Sequence, residues 1–256
     1  MRTLRPSRAF TLIELLVVIA ILSVLVALSI TVGALVIRGG NERATQSLLT
    51  SLDRALDEYI GINGAPPPYA PTQYDNFPGP DDDLVEYEGV FQPRRPDAAI
   101  FIAQSGGVGE VGTIIGNLPE RFRFARAETF VGGGPQITTP EAPSILDAWA
   151  DGVWTPPYNA DQTQLVYYVH PDNTLAQDLY GACVNGRPYF LSAGADTLYG
   201  LNDDPFIPDA QDGSGQQGNE HTYQTCLAAQ ADNLTSYPVD PITASAFERT
   251  TNAGVR

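Results

Sequence analysis

Lysine does not occur in this 256-residue chain; all 14 basic residues are arginine. Histidine and cysteine number two each, and the only methionine is the first residue. These scarcities exclude several chemistries. His170 and His221 stand in no zinc-binding spacing, and Cys183 and Cys226 form no Cys-x-x-Cys redox or zinc pair. Gly106-Gly107-Val108-Gly109 lacks the lysine of a phosphate-cradling loop, and Ser192-Ala193-Gly194 lacks the first glycine of a nucleophile elbow. No catalytic constellation emerges, so the chain reads as a non-enzyme. Acid exceeds base, 30 residues against 14, for a net charge of −16. Such a surface repels phosphate backbones, and nucleic acid is excluded as a partner.

Charge is also missing from Leu15 to Ile37. These ~23 residues would make a helix of about 35 Å at ~1.5 Å per residue, enough for a ~30 Å hydrocarbon core. Arg2, Arg5 and Arg8 all precede Ala9, and Glu14 follows just inside the apolar part. A secretory signal has its small-residue cleavage site after a shorter apolar core; here the small residue precedes it. A carboxylate inside a membrane helix costs up to ~3 kcal/mol on insertion scales and needs a partner. Cutting after Ala9 creates one, the freed amine of Phe10. The arginine bias puts residues 1–9 in the cytoplasm and everything after Ile37 across the membrane.

Phe10-Thr11-Leu12-Ile13-Glu14 followed by Leu15-Leu16-Val17-Val18-Ile19-Ala20 resembles the start of type IV pilins and pseudopilins. The resemblance implies cleavage by a prepilin peptidase before Phe10, methylation of the new amine, and use of Glu14 as the assembly carboxylate that meets a neighbouring subunit's amine. Ala9 stands where that family usually has glycine. In the oxidising compartment this topology implies, a Cys183–Cys226 disulfide is allowed. It would close a loop of roughly 40 residues and contribute ~3–4 kcal/mol on the chain-entropy model; two thiols are the other state.

Gly39-Gly40 is a weak point in the helix. The apolar period then resumes at Ala44, Leu48, Leu52, Ala55, Leu56, Tyr59 and Ile60, predicting an amphipathic helix to about residue 60. Pro66-Pro67-Pro68 stops it, and Asp81-Asp82-Asp83 reads as a solvated loop. Ala98 to Gln104 is expected as a short helix, although Ala99 to Ala103 would also serve as a buried strand; Val111 to Leu118 is expected as a second short helix, and Phe122 and Phe124, alternating with arginines, as a strand or extended segment. Leu165 to Val169 and Pro188 to Ser192 are β-branched and aromatic and bounded by turn residues, predicting neighbouring antiparallel strands. His170, before Pro171, is expected at an edge or turn.

Asp147-Ala148-Trp149, the tyrosine-rich strand, Ser192-Ala193-Gly194-Ala195-Asp196 and Asn202-Asp203-Asp204 resemble, in order and rough spacing, the second half of major type II secretion pseudopilins. Departures are Ala150 and Thr197, where that family has glycine. The resemblance implies a calcium loop with Asp196, Asn202, Asp203 and Asp204 as ligands. The chemistry is sound, since Ca²⁺ takes about six to eight hard oxygens. Asp209 and Asp212 form a rival acidic loop.

The chain is therefore expected to be α+β and pilin-like, a long N-terminal helix packed on a small antiparallel sheet. Its expected parts are a leader, 1–9; a transmembrane and filament-core helix, 10–38; its amphipathic continuation, 39–60; an extracytoplasmic globular domain, 61–204; and an irregular, polar, loop-rich tail, 205–256. The implied function is a structural subunit of a type II secretion pseudopilus, with a minor type IV pilin or filament-tip adhesion subunit as the alternative. Its partners would be prepilin peptidase, other pilin or pseudopilin subunits, an inner-membrane assembly platform and, before assembly, membrane lipid. It would span the bacterial inner membrane once, with the globular domain periplasmic.

Overall fold

The structure, a computed structural model, describes residues 12–68, 84–87, 90–93, 98–124, 144–150, 165–196 and 223–252. The chain divides into two compact units, Met1–Asn41 and Glu42–Arg256. Helix α1, Leu12–Asn63, has residues in both. It continues through Gly39-Gly40, because two glycines at ~1 kcal/mol each do not offset the cooperativity of the turns on either side. Gly64 ends it at φ +76, its N–H donating to the Ile60 carbonyl at 2.7 Å. That left-handed cap suits glycine, and the proline run follows directly.

In the second unit the expected short helices form as α2, Ala99–Ser105, and α3, Val111–Gly116; the strand expected at Phe122 and Phe124 forms as β3, Arg123–Phe124, paired with a strand the sequence does not announce, β4 at Ser144–Ile145. Preceding them, strands β1 (Leu84–Tyr87) and β2 (Val90–Pro93) make an antiparallel hairpin. The central sheet is built on β5, Tyr167–Val169, and β7, Tyr189–Ser192, which pair antiparallel with Tyr168 opposite Phe190. Every residue of both strands is buried, so side-chain alternation feeds two cores. Tyr168 and Phe190 join Leu48, Leu49, Leu52 and Leu56 of α1 and Phe101 of α2. Tyr167, Val169, Tyr189 and Leu191 pack instead on Leu175 and Leu179 of α4, Thr174–Tyr180. Helix α4 is capped by the Asn173 side chain, which accepts the Ala176 N–H at 2.9 Å.

The segment expected to be an irregular tail carries structure. It contains α5 (Tyr223–Ala229), β8 (Leu234–Thr235), β9 (Val239–Asp240) and α6 (Ala244–Asn252). Strand β8 is the third strand of the central sheet, beside β7, while β9 pairs with β6, Ala182–Cys183. Helix α6 is tied to α4 by Arg249, whose Nη2 and Nε reach the Asp178 carboxylate at 2.6 and 3.0 Å. A boundary at residue 204 would cut through this sheet. Two-residue strands offer no periodicity to read, and their formation depends on the partner strand already being in place.

Candidate functional site

Glu14 lies in α1. Its side chain, and Ala9 and Phe10 entirely, lie outside the described residues. Behind it the helix presents bare hydrocarbon: the large apolar side chains described between Leu12 and Ile37 are 45–80% exposed. The two serines in this stretch need no outside partner, because Ser23 Oγ donates to Ile19 O and Ser29 Oγ to Leu25 O, each at 2.8 Å. Among the described residues, no helix is long and apolar enough to cross a membrane.

Residues 4–30 match the prokaryotic N-terminal methylation motif. The chain carries the type IV pilin and pseudopilin signature. The signature marks a substrate of prepilin peptidase that assembles with other pilin subunits into a membrane-anchored filament. No curated protein and no solved structure matches the chain.

Asp147, first residue of the Asp-Ala-Trp motif, is a clip in the second unit. It is 1% exposed. Its Oδ2 accepts the Ser192 hydroxyl at 2.8 Å and its Oδ1 the Trp149 N–H at 3.0 Å. Ser192 Oγ in turn accepts the Gly194 N–H at 3.3 Å, and the neighbouring Ala148 N–H donates to Thr45 Oγ1 of α1 at 3.0 Å. One turn thereby holds α1, the end of β7 and the bend at Gly194–Asp196. Burial pushes the Asp147 pKa up to about 7, against the pull of hydrogen bonds from Ser192, Trp149 and Ala150.

The candidate calcium residues meet this bend. Asp196 closes the short helical turn Gly194–Asp196; its side chain and all of Asn202, Asp203, Asp204, Asp209 and Asp212 lie outside the described residues. Among the described residues no group of His, Cys, Asp and Glu has the makings of a metal site. One carboxylate missed from the sequence stands beside the bend: Asp232 Oδ2 accepts the Ala195 N–H at 3.1 Å. Gly194, at φ +76, lets the Asp232 carbonyl approach where a side chain would collide.

Cys183 and Cys226 are not joined in a disulfide. Cys183 is half-buried on β6 with its Sγ 3.7 Å from the Val169 carbonyl, and Cys226 is buried on α5. Burial pushes the Cys183 pKa up to about 12, so it stays an unreactive thiol. His170 does follow β5 in a turn, but it is buried rather than at an exposed edge. Its Nδ1 accepts the Asp172 N–H at 3.1 Å, and burial lowers its pKa.

A second unforeseen device is Arg187. Its Nη1 and Nη2 donate to Asp57 at 2.6 Å and Asp53 at 2.9 Å, both on α1, and its guanidinium lies 4.8 Å over the Tyr237 ring. The partners come from α1, the approach to β7 and the residues after β8. No local sequence signal joins residues so far apart.

Proposed function

We propose that the chain is a structural subunit of a type II secretion pseudopilus. Residues 1–9 are removed, Phe10 becomes the methylated N-terminus, and Glu14 answers the amine of the adjoining subunit. The single observation that carries this reading is the exposed apolar length of α1, which begins within the methylation motif and runs on past it to Ile37. Taken over the whole sequence, the uncharged run to Ile37 holds the precursor in the inner membrane, with the second unit in the periplasm, until the assembly platform draws it into the fibre. The chain has no catalytic task of its own.

A minor pilin or filament-tip subunit is the second reading, supported by the C-terminal elements that enlarge the domain. Deleting the gene separates the two: loss of exported proteins supports the pseudopilus, and loss of surface fibres or adhesion with export intact supports the pilus. Mass spectrometry of the membrane-extracted protein tests both. A mature chain beginning at methylated Phe10 is expected, and retention of residues 1–9 would reduce it to a tethered domain.

Calcium held by Asp196, Asn202, Asp203 and Asp204 is part of this proposal, supported by the resemblance and by the ordered bend at Gly194–Asp196. Calcium should raise the thermal midpoint of the full chain in detergent by several degrees. An identical midpoint with chelator and with excess calcium would remove the metal from the account.

A further inference from the structure

A cleft of about 340 Å³ opens between α1 and α3. Ser51 and Arg54 of α1 line it together with Thr113 of α3, Asn117 and Glu110. Arg54, Thr113 and Asn117 are exposed. Among the described residues Arg54 makes no ion pair, whereas Arg187 and Arg249 each hold carboxylates of their own chain.

We infer that this cleft receives an aspartate or glutamate side chain from a second copy of the chain. The inference rests on the fibre-subunit reading and adds to it a contact between the folded units. Copies that have lost Arg2, Arg5 and Arg8 with residues 1–9 are more negative than the −16 of the whole sequence and repel one another, so a close contact between them has to set one of their few cations against one of their many carboxylates. Arg54 offers a planar fork that matches a carboxylate, with hydroxyl and amide donors of Ser51, Thr113 and Asn117 around it. Arg54 is the one cation on the lining and Glu110 stands on it too, so the cleft suits a single carboxylate better than a polyanion. The partner chemistry is thus that of an acidic protein surface, and this chain is one.

The test uses the full-length chain in a bacterial membrane together with a prepilin peptidase and an assembly platform. A photoreactive amino acid replaces exposed Thr113, with and without Arg54→Glu. The expected result is a crosslinked homodimer in the fibre fraction whose partner peptide contains an aspartate or glutamate. Arg54→Glu should lower its yield about tenfold, as reversal of a close charge pair does, and Arg54→Lys should keep most of it. Fibres built from subunits starting at Phe10 but giving no such crosslink, or giving it undiminished with Arg54→Glu, would overturn the cleft contact and leave the fibre reading standing. A crosslink only to a different protein would overturn the second copy as occupant. Subunits that keep residues 1–9 and form no fibre would defeat the fibre reading itself, a failure told apart by the N-terminal mass.

Discussion

Two stretches of α1 receive opposite treatment. From Leu12 to Ile37 the described large apolar side chains lie 45–80% exposed, whereas Leu48, Leu49, Leu52, Leu56 and Tyr59 are between 0 and 9% exposed. The backbone is the same helix in both, and what differs is the polar residue content. After Asn41, charged and hydroxyl residues occupy the face opposite the leucines, so one side can meet water while the other packs on Phe101, Tyr168 and Phe190. Before Arg38 no such face exists, and a helix apolar all round is stable only when lipid or other apolar helices surround it. The first stretch is therefore completed by its surroundings, and the second by its own chain.

Leucine truncation in each stretch would break that comparison if it is wrong. Leu52→Ala should destabilise the folded unit by ~2–5 kcal/mol, the usual cost of a cavity beneath a packed sheet. Leu22→Ala should leave thermal unfolding of the full chain in detergent within ~0.5 kcal/mol, because nothing described packs on that side chain. Equal effects from the two variants would mean that the stretches are not distinct.

A smaller effect is expected from pH, and it sharpens the account of how the second stretch is held. The Asp147 clip, one residue from the Thr45 contact on α1, has a folded pKa raised from 3.8 to about 7. Its contribution is fully present below the unfolded pKa and is lost as pH rises through about 7, a change of order 2–4 kcal/mol. His170, whose folded pKa is lowered from 6.5 by burial, gives the opposite slope near that value. The readout is therefore the difference between wild type and Asp147→Asn. Melting of the wild type should decline more steeply from pH 5 to 8 than melting of the variant, and parallel profiles would count against the burial argument.

Much of this fold was legible because its elements announce themselves locally. The apolar period of α1, the aromatic runs of β5 and β7, and Asn185-Gly186, whose two residues both take positive φ, need no knowledge of what lies across the core. The methylation motif is of the same kind, since its meaning is contained in consecutive residues. What escaped depends on distance. Arg187 reads as a turn cation until Asp53 and Asp57 are folded beneath it. Leu234-Thr235 looks like loop until β7 offers an open edge. Asp147 reads as the first residue of the Asp-Ala-Trp motif, and only its burial shows it to be the clip between α1 and the sheet.

Ser23 and Ser29, with hydroxyls turned back onto carbonyls of their own helix, have a consequence for how a subunit travels. Hydroxyls satisfied in this way let a helix exchange acyl chains for the flanks of sister helices without either serine surrendering its hydrogen bond on the way. If the chain is the fibre subunit proposed above, extraction resembles sliding a greased rod from one sleeve into another.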